Sequence, residues 1–187
     1  MIEISREIIQ KASTGDMISF EELYTLTSSY VYSVALRITT QRENAEEVTQ
    51  DVFLKLYDNL KYFKFQSSFK TWLYRITVNT ALTKVKKYAN DMARRSDFDT
   101  AMRDRGYEEE STQRLVYDDN KILVKKMLKA LNPDQRSCVV LRDIEGFSYD
   151  EIAKILHINV NTVRTRLKRG RDLLVRTFRK GVMCHEM

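Results

Sequence analysis

The sequence predicts an all-α protein: two helical domains joined by a flexible acidic linker. Three observations lead there. The 187 residues include one proline and five glycines, far too little turn punctuation for a chain of many short strands. Apolar residues recur at spacings of three and four along most of the chain, the period of one buried helix face. Between positions 89 and 120 that period is lost, and Asp, Glu, Ser and Arg dominate. A segment of that composition cannot bury enough apolar surface to fold alone. The expected domains are therefore residues 1–92 and 121–181, with 93–120 between them.

The first helical block has a capping-box pattern at Ser19-Phe20-Glu21-Glu22, and its apolar stripe is Leu23, Leu26, Tyr30, Val34 and Ile38. A second start is expected at Asn44-Ala45-Glu46-Glu47, with Ala45, Val48, Val52, Leu56 and Leu60 on its inner face. Ser68 can cap a third long helix whose inner face would be Phe69, Trp72, Leu73, Ile76 and Thr80. Beyond the linker, Ile122, Leu123, Met127, Leu128 and Leu131 restore the period. Asn132-Pro133-Asp134-Gln135 places Asn at the N-cap and the single proline at the first helical position. Gly146 ends that helix, and Ser148-Tyr149-Asp150-Glu151 opens the next with another capping box.

Charge is distributed in blocks. Residues 61–96 hold nine basic and one acidic side chain, net +8, and residues 160–181 hold eight and one, net +7. Residues 97–120 hold three and eight, net −5, and the whole chain is +6. Two separate basic blocks in acidic surroundings predict two contacts on a polyanion. The longest apolar runs are a few residues, far short of the roughly 20 that span a membrane. The first sixteen residues have no apolar core of a secretory signal, and two scattered cysteines make no disulfide framework. These features predict a cytoplasmic protein. No Gly-rich phosphate loop is present. His157, His185, Cys138 and Cys184 do not have metal-ligand spacing. Catalysis, a metal and a cofactor are accordingly not expected.

The segment 149–168, YDEIAKILHINVNTVRTRLK, has the pattern of a helix-turn-helix. Ile152, Ala153 and Leu156 face inward from the first helix. Ala153 is small where the two helices approach. His157-Ile158-Asn159 form the turn, with Ile158 as its apolar plug and Asn159 as the cap of the second helix. That helix buries Val163, Leu167 and Leu174, which leaves Asn161, Arg164, Thr165, Lys168 and Arg169 outward. Such a face fits the major groove, where Arg and Lys pair with guanine and Thr contacts either base type.

In the other basic block, Tyr57, Tyr62, Phe63, Phe65, Phe69, Trp72 and Tyr74 are interleaved with Lys61, Lys64, Lys70 and Arg75. Rings beside a cationic track suit single-stranded DNA. Trp72 falls on the apolar stripe. Asn79 lies one turn after Arg75, where an amide can read an unstacked base edge.

At this point the chain resembles the bacterial sigma factors of the sigma-70 family, extracytoplasmic-function (ECF) group. AEEVTQDVFLKLY (45–57) is similar to the region that docks on the polymerase coiled coil. FKTWLYRITVNTA (69–81) is similar to the promoter-melting and minus-10 region, and 131–174 to the minus-35 domain. The resemblance implies a fold of sigma region 2 and sigma region 4. It implies that Gln50, Asp51, Phe53, Leu54 and Lys55 bind core RNA polymerase. It implies that Lys64, Lys70, Arg75 and Asn79 serve the minus-10 element, with loop 63–68 shaping a pocket for a flipped base. Asn161, Arg164, Thr165, Lys168 and Arg169 would serve the minus-35 element. Promoter DNA and an anti-sigma factor complete the implied partners. The acidic linker would lie in the polymerase's RNA path. His157 and Asn161 stand where the family commonly has glycine, and Thr83 where many members have Asp. The rival reading is a helix-turn-helix regulator that is not a polymerase subunit. It would need a ligand or dimerisation domain, and residues 45–81 resemble docking and melting regions instead.

Overall fold

The computed structural model describes residues 4–98 and 119–183, and the described residues are helical with no strands. The first domain comprises α1 (Arg6–Ser13), α2 (Met17–Thr39), α3 (Arg42–Asn59), a short 3-10 turn (Leu60–Tyr62) and α4 (Phe69–Phe98). The second comprises α5 (Asp119–Ala130), α6 (Pro133–Val139), α7 (Tyr149–Leu156) and α8 (Val160–Met183). The expected linker therefore narrows at both ends, because α4 continues to Phe98 and α5 begins at Asp119. Glu108, Glu109 and Glu110, like Cys184 and His185, lie outside the described residues.

α2, α3 and α4 pack mutually and form the first core. Leu23, Val31, Val34, Ile38, Val48, Val52, Leu56 and Leu73 are all fully buried. Each such aliphatic side chain stabilises the fold by roughly 1.5–3 kcal/mol relative to an exposed one. Thr27 and Thr77 share this core without an orphaned hydroxyl. Each donates to the carbonyl four residues back, at 2.7 Å to Leu23 and 2.9 Å to Leu73. In the second domain α6 packs on α8, and Gly170 lies at the closest approach. A Cβ there would sit 3.2 Å from Val139 Cγ2, so only glycine lets these helices meet without a shift.

Several helix starts are where the sequence places them. Asn132 accepts from the Gln135 amide at 2.8 Å. Ser148 and Glu151 close a reciprocal capping box, and Ser68 accepts from the Thr71 amide at 3.0 Å. Two starts differ. α2 begins at Met17, capped by Asp16, which accepts from Ser19 N at 2.9 Å. Ser19 is buried inside the first turn, so the local capping-box pattern loses to an acid three residues earlier. α3 begins at Arg42 after Gln41, without a side-chain cap on the backbone, and Asn44 bonds Gln41 instead.

The two domains touch. α2 and α4 pack against α6, α7 and the π-helical turn Val140–Ile144. Gly146, at φ 79°, turns the chain after that segment, a left-handed conformation that costs glycine little.

Cys138 lies in this second core at 0% exposure, and burial pushes its thiol up to about 11. The thiolate is the reactive form, so a Cys184→Ser variant should resist iodoacetamide at neutral pH until it is unfolded. Native labelling is expected below ~1% of the unfolded rate. Comparable rates would contradict the burial.

Candidate polymerase and DNA interfaces

The helix-turn-helix is built by local chemistry. α7 ends on His157 at φ 53°, in the left-handed region, and the His157 amide closes on the Ala153 carbonyl. Histidine thus occupies the conformation that the usual turn glycine would take at lower cost. Ile158 N bonds the same Ala153 carbonyl at 3.0 Å. Asn159 Oδ1 then accepts from the Asn161 amide at 2.8 Å and starts α8. Val163 and Leu167 are buried, while Leu156 and Leu174 are half-buried.

Asn161, Arg164, Thr165, Lys168 and Arg169 are all exposed on the opposite face of α8. Asn161 Oδ1 accepts from Arg164 Nη1 at 3.0 Å, which aims the guanidinium along the helix surface. Two other arginines of α8 are structural. Arg166 pairs with Asp134 at 3.0 Å, and Arg171 pairs with Asp143. The helix therefore separates cations that hold the domain from cations open to a ligand.

On α3 the five residues expected to bind polymerase divide into three groups. Gln50 and Asp51 are exposed, and Leu54 is 66% exposed. Phe53 is a correction: it is buried, its ring 4.5 Å from that of Tyr24. One α-helical step of 100° separates it from Leu54 and carries it onto the α2–α3 seam. Lys55 is exposed but turned towards α4, where Nζ donates to Thr80 at 3.0 Å. Beside Leu54, Tyr57 is 52% exposed and meets Phe20 edge-on at 5.2 Å. Tyr24 is 47% exposed. Tyr57, one helical turn from Leu54, extends its apolar surface, and Tyr24 covers Phe53 on the adjoining seam. The spacing of Leu54 and Tyr57 was the available signal.

On α4, Asn79, Arg75, Trp72, Thr80 and Thr83 line a surface cleft of about 320 Å3, and Lys55 and Asn59 of α3 line its other wall. Lys64 and Lys70 are exposed but do not line it. The aromatic run is largely core rather than a stacking platform: Phe63, Phe69 and Tyr74 are buried, and Phe65 and Trp72 are half-buried. Phe63 holds Phe65 at 4.7 Å and Trp72 at 5.0 Å. Their rings face one another because the loop 63–68 has few other apolar groups to bury. Phe65 sits at φ 55°, strained for a bulky residue. The Arg6 guanidinium lies 4.6 Å from its ring centroid, a cation–π contact that ties the loop to α1.

Comparison with known proteins agrees with this layout. Residues 23–90 match the model of sigma-70 region 2, and residues 121–174 match that of sigma-70 region 4. The chain is 30% identical to the RNA polymerase sigma-H factor of Pseudomonas aeruginosa, over 92% of each chain. It is 31% identical to the ECF RNA polymerase sigma-E factor of Escherichia coli, over 89% of this chain and 90% of that one.

The chain belongs to the sigma-70 family, ECF group.

It is an RNA polymerase sigma factor of two domains, sigma regions 2 and 4. The fold is also that of CnrH, solved in complex with the cytosolic domain of CnrY. That match has a TM-score of 0.64 at 21% identity, over 94% of this chain and 97% of the other. RpoE of Bartonella quintana, solved with the anti-sigma factor NepR, matches at 0.63 and 23%, over 86% and 96%. Among the described residues no group of His, Cys, Asp and Glu is placed to hold a metal ion. None of the described helices is long and apolar enough to cross a membrane.

Proposed function

We propose that this sigma factor divides its work among three surfaces. Gln50, Asp51 and Leu54, with Tyr57 and Tyr24 beside them, dock on core RNA polymerase. Asn79, Arg75 and Lys55 serve the minus-10 strand in the α3–α4 cleft, and Lys64 and Lys70 hold its phosphates. Asn161, Arg164, Thr165, Lys168 and Arg169 read the minus-35 duplex. The chain works in the cytoplasm, carries no catalysis of its own, and is held in check by an anti-sigma partner. The observation that carries this reading is the exposed cationic face of α8 immediately after a helix-turn-helix turn.

The chemistry is recognition and strain on DNA. The groove-facing guanidinium of Arg164 can donate two parallel hydrogen bonds to guanine O6 and N7, which no other base offers together. An amide at Asn79 offers a donor and an acceptor to an unpaired base, and the half-buried Trp72 forms an apolar wall of its cleft. Captured bases no longer re-pair, so binding energy is used to open the duplex. Neither basic block gathers many phosphates alone, and the free chain is expected to bind DNA weakly and with strong salt dependence.

Two mutants test the assignment. Arg164→Ala should cost roughly 1–3 kcal/mol at one minus-35 base pair and relax preference there. Competition binding of polymerase holoenzyme to single-base promoter variants reads this directly. An unchanged base preference would remove Arg164 from the contact set. Asn79→Ala should leave the closed complex intact and weaken the permanganate footprint of the open minus-10 bubble. A bubble as strong as wild type would remove Asn79 from strand capture.

A further inference from the structure

The first helix reaches the α3–α4 cleft through a chain of rings. Arg6 opens α1, directly after its cap Ser5. A cation at that end opposes the helix dipole, which favours anions there. The neighbouring Glu7 is committed to Lys11 at 2.8 Å, and Arg6 makes no ion pair among the described residues. Its guanidinium lies over the Phe65 ring instead, 4.6 Å from the centroid. The helix behind it is firmly seated. Ile9 and Ala12 are buried, and Ile4 and Ile8 pack on the core. Ser5 Oγ accepts from the Ile8 amide at 3.2 Å and sets the first turn.

The loop held by this contact is short and strained. The Phe63 amide donates to the Leu60 carbonyl at 3.0 Å at one end, and Ser68 caps α4 at the other. Between these fixed points Phe65 keeps φ 55°, which a bulky residue adopts only where its surroundings enforce it. Gln66 and Ser67 are exposed and make no hydrogen bond among the described residues, so polar groups of the loop do not enforce it. The ring of Phe65 is what is held, by Arg6 and by Phe63 at 4.7 Å. Phe63 in turn meets Trp72 at 5.0 Å, and Trp72 lines the cleft with Arg75 and Asn79.

We infer that Arg6 is a positioning residue for the cleft, acting on Trp72 through Phe65 and Phe63. The role rests on the assignment of that cleft to the minus-10 strand. Without the cation, Phe65 relaxes towards ordinary backbone angles and draws its ring away from Phe63. Phe63 stays beside Phe69, 5.8 Å away, but loses the neighbour that holds its tilt against Trp72. The indole then samples several rotamers, and the apolar wall for a captured base is no longer preformed. The cost of ordering it falls on strand capture.

Trp72 is the single tryptophan of the chain, so its fluorescence reports the relay in the full chain without a label. Arg6→Gln, Arg6→Lys, Phe65→Leu and the double variant Arg6→Gln/Phe65→Leu are compared with wild type. The control is Glu7→Gln, which removes the pair with Lys11 from the same turn and leaves Phe65 untouched. Arg6→Gln should raise the acrylamide quenching constant of Trp72 by about 1.5-fold or more, as the indole leaves its ring contact. Phe65→Leu should match it, and the double variant should add nothing. Arg6→Lys keeps the cation–π contact and should lie near wild type. The same chains, assembled with core polymerase, are then placed on a DNA fragment carrying the strongest start that wild type supports in run-off transcription. Arg6→Gln should leave closed-complex affinity unchanged and lower the permanganate reactivity of the minus-10 bubble by about fivefold.

Wild-type quenching in Arg6→Gln, or an additive double variant, overturns the relay. A weaker bubble with unchanged quenching makes Arg6 a direct DNA contact and overturns it as well. Equal losses in Glu7→Gln and Arg6→Gln reduce the role to helix stability. Asn79→Ala tests the underlying assignment separately. If its bubble is as strong as wild type, or if wild type supports no start, the cleft assignment fails. If Asn79→Ala weakens the bubble and Arg6→Gln does not, the positioning role alone fails.

Discussion

Val52→Asp is expected to unfold region 2, while Leu54→Asp, two residues away, is expected to leave it folded and to abolish polymerase binding. Val52 is 0% exposed on the α3 stripe with Val48 and Leu56. An aspartate there is buried among aliphatic side chains without a partner. It either ionises at a large cost or takes up a proton and still lacks hydrogen bonds. A loss above ~4 kcal/mol is expected, a large share of the roughly 5–15 kcal/mol that holds a domain together. Leu54 is 66% exposed, so the same substitution there meets water. What it removes is an apolar anchor one helical turn from the exposed Tyr57, and such anchors concentrate binding energy at interfaces. Circular dichroism melts and co-elution with core polymerase separate the effects. Two equally unfolded variants, or a Leu54→Asp chain that co-elutes like wild type, would refute the face assignment.

Arg136→Ala is expected to be among the most damaging substitutions in region 4. The guanidinium is 6% exposed and donates to three backbone carbonyls: Leu128 at 2.7 Å, Leu131 at 2.7 Å and Ile38 at 2.6 Å. Burial lowers its pKa from the ordinary arginine value, but arginine keeps its charge in proteins. The cation closes the C-terminal ends of α5 and α2, where carbonyls lack intrahelical donors and the helix dipole favours positive charge. Alanine leaves these acceptors buried and unpaired. The expected cost is about 3–5 kcal/mol, a fall in Tm of more than ~12 °C for a domain of this size. Arg136→Lys should rescue little, because an ammonium lacks the planar fork that reaches three acceptors. Calorimetry of the full chain checks this. A Tm within a few degrees of wild type would show that the three bonds contribute little.

What was legible in the sequence was what is local. Asn132, Ser148 and Ser68 cap helices within three residues, and the geometry follows from the residue types. The outward set on α8 follows from a 100° rotation per residue once the turn is placed, and His157 stands at the left-handed position because the turn requires one. The failures are non-local or nearly so. Phe53 falls among its neighbours in the docking motif, but the aromatic seam with Tyr24 buries it. Tyr74 reads in sequence as one of a run of rings beside a cationic track. Its burial depends on Glu145 and Phe147, some seventy residues away, and no helical period in α4 reports that. Arg136 reads in sequence as an ordinary helix cation, because its backbone acceptors carry no side-chain signature. The contact between the domains is hidden for the same reason: each half has its own periodicity, and the shared polar centre belongs to neither.

The most direct measurement is run-off transcription from fragmented genomic DNA with core RNA polymerase of the host bacterium, with and without this chain, followed by mapping of transcript starts. The expected result is a set of starts that depends on the chain and shares one minus-35 and one minus-10 element at fixed spacing. Leu54→Asp is expected to abolish those starts. Starts that do not depend on the chain, or chain-dependent changes only at promoters already used by another sigma factor, would contradict it.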